Sequence, residues 1–264
     1  MMAFLSKVVC TSQAASYQRG SEAQQEVGLK MIDQLAVKKG SSVLDLGCGT
    51  GYLTKVLSER VGPEGKVVAV DPDGDRLKIA REQYSASNVE YIQADDKTFP
   101  AGPYDLIISN TVIHWIKDKE ALFKRLHENL RPGSQFAFST SNGVLPIPEI
   151  GKKLFSKLVG PNFLHWMLHE KMVFWNATEY KTLASATGFG EVSMAVWNVH
   201  PEWKNLDEYI DSMYGWFHGE FDPTQFDSDV LQELRRKYGG GSVIQQEPIS
   251  NLVTLITKPA TQNT

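Results

Sequence analysis

Apolar positions along the chain change period several times, and each change marks an element. Val43, Leu44 and Leu46 form a short apolar run, the pattern of a strand buried on both faces of a parallel sheet. Tyr52, Leu53, Val56 and Leu57 then recur at helical spacing, and Gly62, Pro63 and Gly65 stop that helix before a second apolar run, 67–70, that closes on Asp71. A second crossover helix is predicted over 75–84, with Leu77 and Ala80 facing the sheet and Asp75 as its cap. Strands follow at 89–96, around Leu106 to Ile108, and at 135–139. Upstream, 17–34 reads as one helix capped by Ser21, with Val27, Met31 and Leu35 on one face. Downstream come a helix over 178–186, capped by Thr178 with Tyr180 and Leu183 inward and Gly188 closing it, an alternating strand at 191–199, and a last strand at 250–258. This alternation of strands and helices predicts an α/β fold with a parallel sheet.

Two stretches depart from that rhythm. Residues 143–178 carry Leu154, Phe155, Leu158, Phe163, Trp166, Met167, Met172, Phe174 and Trp175, punctuated by Pro146, Pro148 and Pro161. Residues 201–247 hold two helical patterns, Leu206 to Phe217 and Val230 to Tyr238, the second stopped by Gly239 to Gly241. The expectation is a single domain, 1–264, with these two insertions forming a cap over a pocket, most of their bulky residues serving as core. His165, His169, Trp197, His200, Trp216 and His218 would line it; no two of these histidines have metal-ligand spacing, and no metal is expected.

The chemistry concentrates at 45–51, DLGCGTG, between the first strand and its helix. Gly47, Gly49 and Gly51 let the chain turn tightly and approach a ligand. The spacing is not the G-x-G-x-x-G of dinucleotide sites, and the Gly-Lys-Ser/Thr ending of a phosphate loop is missing. Asp45, just before the first glycine, suits a ligand with a positive charge or amino group better than a polyanion. Asp71 stands at the end of the next strand, where open α/β sheets bind ligands.

Composition narrows the classes. The 264 residues suit one large α/β domain, and 42% hydrophobic with 22% charged residues is ordinary for a globular protein. A net charge of -4, with 27 basic residues scattered among 31 acids, gives no nucleic-acid footprint. The two cysteines, Cys10 and Cys48, make no disulfide framework. With no signal core in the first ten residues and no membrane-length apolar run, the expected setting is cytoplasmic, without membrane contact, as a monomer or homodimer.

Taken together, DLGCGTG, VVAVDPD at 67–73, VEYIQADD at 89–96, YDLIISNTVIHW at 104–115 and LRPG at 130–133 resemble the class I, Rossmann-like methyltransferases that use S-adenosylmethionine, over residues 40–140. Their small-molecule members, the juvenile hormone acid and trans-aconitate methyltransferases, are the most similar. The resemblance implies a doubly wound seven-stranded sheet with its last strand antiparallel. It places Gly47, Gly49 and Gly51, with Asp45 and Cys48, along the methionine and ribose of the cofactor, and Asp71, with Pro72, at the ribose hydroxyls. Asp95 or its neighbour Asp96 would meet the adenine amine, and Asn110 would stand at the cofactor after the fourth strand. His114 and Trp115 fall where the methyl group is transferred. Tyr17 and Gln24 have two readings of equal standing, polar surface or a lid over the acceptor.

The implied activity is methyl transfer from S-adenosylmethionine, leaving S-adenosylhomocysteine, to a small organic acceptor, a carboxylate oxygen among the candidates. A carboxylate needs no base, so His114 and Trp115 would position it; a phenol, hydroxyl or amine would need His114 as general base. The rival is a non-catalytic cofactor-binding regulator on the same fold, and methylation at nitrogen or carbon of another small molecule also stands open.

Overall fold

The structure, a computed structural model, describes residues 12–143, 145–238, 244–245 and 248–260. The apolar N-terminal stretch, the helix stop at Gly239 to Gly241 and the last four residues of the tail lie outside them. In chain order the elements are α1 (Gln13–Gly20), α2 (Glu22–Asp33), β1 (Ser42–Leu46), α3 (Tyr52–Val61), β2 (Lys66–Asp71), α4 (Gly74–Tyr84), β3 (Val89–Gln93), β4 (Tyr104–Asn110), α5 (Lys119–Asn129) and β5 (Leu130–Ser141). They continue with α6 (Glu149–Leu158), α7 (Phe163–His165), α8 (Ala177–Ala186), β6 (Val192–Val199), β7 (Glu202–Trp203), α9 (Leu206–Trp216), α10 (Ser228–Tyr238), β8 (Ile244–Gln245) and β9 (Ile249–Thr257). The chain divides into two compact units, one drawn from residues 24–144, 172–199 and 250–264, the other from 1–23, 145–171 and 200–249. None of the described helices is long and apolar enough to cross a membrane.

The first unit is built on a seven-stranded sheet of order β3-β2-β1-β4-β5-β9-β6. β1 pairs in parallel with β2 on one side and β4 on the other, and β9 runs antiparallel to β5, as the resemblance implied. Strand order therefore reverses between β1 and β4, so the loops after these two strands flank the crevice where such sheets take ligands. β1 and β2 are buried on both faces, which explains their unbroken apolar sequence. Under the sheet, Phe123 packs against Phe136, Phe138, Tyr180 and Phe189 in an aromatic cluster from α5, β5, α8 and the segment that follows α8. Such rings each bury a large apolar area and interlock edge to face.

Several boundaries differ from the sequence reading. The expected helix 17–34 is two helices, broken at Ser21, whose hydroxyl donates to the Gln18 carbonyl (3.1 Å). Val27, Met31 and Leu35 are buried as expected. The cap of α4 is Asp73, accepting from the amides of Asp75 and Arg76, not Asp75. The cap of α8 is Asn176, in a capping box with Glu179, not Thr178. β3 stops at Gln93 because Asp95 turns the chain, and β5 begins already at Leu130, its pairing with β4 interrupted by a bulge across 130–135.

The second unit holds the two expected insertions and, in addition, α1. Its α1 lies against α9 so closely that a Cβ on Gly215 would stand 2.5 Å from the Tyr17 amide nitrogen, and one on Gly20 2.7 Å from the Ser212 hydroxyl. The Trp216 indole donates to Gly20 O (2.7 Å), Gln13 Nε2 to Gly215 O (2.7 Å), and Arg19 pairs with Asp211 (2.8 Å). Phe155 packs on Phe163, Phe217 and Phe221 to form this unit's core. Residues 172–178 do not belong here, although the sequence placed them in the insertion. Val173 donates its amide to His114 O (2.7 Å) and Phe174 stacks on the His114 ring, which ties this segment to the sheet.

Candidate active site at the carboxyl ends of β1, β2 and β4

The glycine turn after β1 is held by β2. Gly47 and Cys48 both donate to Val70 O (2.8 and 2.9 Å), and Gly51, at φ +88°, opens α3. The missing side chain of Gly47 is required twice: its φ is +78°, and a Cβ would stand 2.3 Å from Val112 Cγ2 on the loop after β4. A Cβ on Gly51 would likewise meet Ala80 at 2.8 Å and the Tyr91 hydroxyl at 3.0 Å. Their first use is thus internal, to let the turn close on the loop after β4 at Gly47 and on α4 and β3 at Gly51. Gly47→Ala is expected to destabilise the chain by about 2–4 kcal/mol through backbone strain and overpacking. Denaturant unfolding would show it, and Val112→Ala in the same chain should recover part of the loss; additive effects would contradict the contact.

Asp71 is clamped at the end of β2. Its Oδ2 accepts the Gly49 amide and its Oδ1 the Asp73 amide, both at 2.9 Å. The side chain is buried, and burial pushes its carboxyl above the usual range although Arg76 and these two amides pull the other way. Asp45, 2% exposed, receives the Thr54 hydroxyl at 2.6 Å and is pushed up to about 7 by burial, with the Asp71 charge adding to it. Burial also raises the Cys48 thiol, so a thiolate nucleophile is disfavoured here. Pro72 O is tied to Gln93 Nε2 (3.0 Å). Two buried carboxylates form an acceptor set for hydroxyls and an ammonium, and the amides of Gly47, Cys48, Gly49 and Gly51 are spent on acceptors within the chain, which does not suit phosphate. The residues fit S-adenosylmethionine on these grounds: each Asp71 oxygen keeps a lone pair beyond its amide, and Asp45 holds a suppressed charge that a cation would restore.

Asp95 directs three bonds onto Oδ1, from the Lys97 amide, the Thr98 amide and the Thr98 hydroxyl. These bonds hold its carboxyl below the usual range, whereas burial raises that of half-buried Asp96. At the end of β4, Asn110 is a tie: Nδ2 donates to Gln24 O (2.9 Å) and Oδ1 accepts the Ser139 hydroxyl (2.7 Å). Gln24 thus meets Asn110 through its backbone, while Tyr17 belongs to the other unit. Thr111, which the sequence reading passed over, has φ +60°, an outlier for a β-branched residue, and its buried hydroxyl finds no partner. Its amide donates to Ser139 O and Oγ, which holds the strained residue in place.

His114 and Trp115 lie on the short turn Ile113–Trp115. The His114 ring stacks on Phe174 (5.2 Å between centroids), tilts against Trp115 (5.5 Å), and its Nδ1 meets the Thr140 hydroxyl at 3.2 Å. Burial lowers its pKa to about 3, with Lys119 contributing, so the imidazole is uncharged at neutral pH. Lys119, only 1% exposed, donates to Ile116 O (2.7 Å) and lies over the Trp175 ring. Sequence gave no sign of Lys119, which sits in the polar run KDKE, or of Thr140 and Phe174, distant in the chain. Among the described residues no group of three or more His, Cys, Asp and Glu is placed to hold a metal ion.

Comparison with known proteins agrees with this architecture. The chain is 33% identical over 130 residues to a malonyl-[acyl-carrier protein] O-methyltransferase of Acetivibrio thermocellus, covering 48% of this chain and 46% of that one. It is 34% identical over 122 residues to a trans-aconitate 2-methyltransferase of Azoarcus, covering 46% and 47%. The match thus spans about half the length of these two relatives. A demethylmenaquinone methyltransferase of Staphylococcus carnosus is 29% identical over 179 residues, 62% of this chain and 74% of that one. The fold is shared with a solved S-adenosylmethionine-dependent methyltransferase of Mesorhizobium loti, at TM-score 0.54 and 20% identity over 90% of this chain and 99% of that one. It is also shared with phosphoethanolamine N-methyltransferase 2 of Haemonchus contortus, solved with S-adenosyl-L-methionine, at TM-score 0.58 and 17% identity over 93% and 57%. The family described as a methyltransferase domain matches residues 20–193, well over half the chain, and the chain belongs to that family.

Proposed function

We propose that this chain transfers a methyl group from S-adenosylmethionine to a carboxylate oxygen of a small organic acceptor. The observation that carries the cofactor is the clamped Asp71 beside the glycine turn, a buried acceptor pair shaped for two neighbouring hydroxyls. Asp45 would face the cofactor's ammonium, and Asp95 or Asp96 its adenine amine. When bound, the cofactor supplies an electrophilic methyl on a sulfonium. The chain's own part is to orient, to exclude water and to hold the attacking oxygen in line, which proximity effects of about 7–11 kcal/mol can support.

The acceptor class follows from His114. An imidazole with a pKa of about 3 takes no proton at neutral pH, so a phenol or alcohol would find no general base there. An acceptor that arrives already ionised needs none. Neutral His114 and Trp115 then serve to position it, and the relatives named as malonyl-[acyl-carrier protein] O-methyltransferase and trans-aconitate 2-methyltransferase support a carboxyl acceptor. With two cysteines and no disulfide framework, the reaction is assigned to the cytoplasm.

The test is transfer of labelled methyl from S-adenosylmethionine to a panel of carboxylic acids, phenols and amines, with S-adenosylhomocysteine release measured in parallel. Label in an alkali-labile ester is the expected result. Label only in phenols or amines would overturn the acceptor class. Cofactor binding without transfer to any of them would favour the regulatory reading.

A further inference from the structure

Lys119 stands out among the buried groups that the reading above leaves unused. It is the first residue of α5, after the cap Asp118, and it is almost fully enclosed. Its ammonium donates to Ile116 O at 2.7 Å, the carbonyl that follows the Ile113–Trp115 turn, and lies 5.5 Å from the Trp175 ring centre. That ring in turn packs on Tyr180 of α8 (5.7 Å). Among the described residues no carboxylate lies within ion-pair distance of it. The nearby acids are engaged elsewhere: Asp118 accepts the Ala121 amide, Glu120 pairs with Lys124, and Glu179 accepts the Asn176 amide. A buried ammonium whose neighbours are one carbonyl and one ring is costly to keep, which sets it apart from a surface lysine.

We propose that Lys119 is a positioning residue for the methyl transfer: tied to Ile116 O and set against Trp175, its ammonium braces the His114–Trp115 turn and fixes the charge beside the His114 ring. The proposal rests on the methyl-transfer reading above. The groups that face Lys119 account for its electrostatics. Burial is the largest influence and lowers its pKa to about 8, Glu179 on α8 partly opposes this, and the same ammonium helps to keep His114 uncharged. Tyr180 on α8 adds no charge, since burial raises its phenol. Lys119 therefore loses its proton within a pH range where the protein can be studied, and the turn it braces should report the loss.

The experiment follows the His114 ring nitrogens by nuclear magnetic resonance from about pH 7 to 9.5, in chains carrying labelled histidine, with the signal assigned by its absence in His114→Gln. In the native chain the resonances are expected to move with a midpoint near pH 8. Lys119→Met should flatten the titration, and so should Lys119→Arg, which keeps the cation but cannot release its proton in this range; the arginine variant serves if the methionine variant does not fold. With the carboxylic acid found in the transfer assay, kcat in Lys119→Met should fall several-fold while S-adenosylhomocysteine affinity stays within twofold. His114 resonances that are flat in the native chain, or that move alike in all three chains, would overturn the proposal. S-adenosylhomocysteine titration of the same samples reports separately on the cofactor reading, since its failure in the native chain would count against that reading and not against Lys119.

Discussion

Asp71→Asn is expected to weaken S-adenosylhomocysteine binding about 100-fold, as calorimetric titration would show, with a smaller drop in melting temperature than Asp71→Ala. The carboxylate already accepts the Gly49 and Asp73 amides, one on each oxygen, and each oxygen keeps a lone pair directed away from the backbone. Two hydroxyls of a ribose would complete the set. Hydrogen bonds to a charged acceptor contribute about 1.5–3 kcal/mol each, so losing the charge and one acceptor oxygen amounts to about 3 kcal/mol, which is the hundredfold change. Asparagine keeps one acceptor for the backbone and sets its amino group against the other amide, at a cost of about 1–3 kcal/mol, while it removes a charge that burial disfavours, so the fold should hold. Asp71→Ala would leave both buried amides without a partner and confound binding with folding. Methylthioadenosine sharpens the test, because it keeps the ribose and lacks the amino acid. Asp71→Asn should weaken both ligands alike, whereas Asp45→Asn should weaken S-adenosylhomocysteine alone. Binding of both ligands within threefold of native in Asp71→Asn would remove Asp71 from the ribose.

Why Asp71 was legible in the sequence, and Lys119 was not, has a physical basis. A βαβ unit writes its strands as apolar runs and its turn as glycines, because two-sided burial and positive φ each restrict the residue locally. The seven-stranded sheet with its antiparallel last strand followed from the resemblance, and the observed pairing agrees. Caps were misplaced by two residues at Asp73 and Asn176, since several polar residues precede each helix and only backbone geometry selects among them. The break at Ser21 was hidden for the same reason, as a polar stretch continued smoothly across it. Lys119 and Thr140 are illegible in principle: a lysine in a charged run reads as solvated, and its burial depends on Trp175, more than fifty residues away. The membership of α1 in the second unit likewise depends on α9, through Gly20, Gly215 and Arg19. The glycines carried a different lesson. Their spacing pointed to a ligand, and at Gly47 and Gly51 the space is filled by Val112, Ala80 and Tyr91, so the same residues first serve the packing of the turn.

Opposite pH dependences of stability are expected in Asp45→Asn and His114→Gln. Asp45, raised from 3.8 to about 7, keeps a proton in the folded chain that the unfolded chain has released between about pH 4 and 7. Its contribution to stability therefore falls as pH rises through that window. His114, lowered from 6.5 to about 3, behaves in reverse: the unfolded chain binds the proton first, and stability falls as pH drops from 6.5 towards 3. Between about pH 4 and 6.5 the two slopes, each about 1.4 kcal/mol per pH unit, oppose one another and cancel in the native chain. Removing Asp45 leaves the histidine slope, so that variant should grow more stable with rising pH. Removing His114 leaves the carboxyl slope, so that variant should grow less stable, and the gap between the two should widen by about 3 kcal/mol per pH unit. Other groups, Asp71 among them, are common to both chains and drop out of the difference. Urea unfolding at three pH values, followed by tryptophan fluorescence, would measure it, with Trp115 and Trp175 in the same unit as both groups. Parallel pH profiles in the two variants would mean that Asp45 is ionised and His114 charged in the folded chain, and a gap widening at half that rate would mean that only one of the two pKa values is displaced. A charged His114 would remove the reason for assigning an acceptor that needs no base, whereas profiles that diverge at the full rate would support an uncharged imidazole.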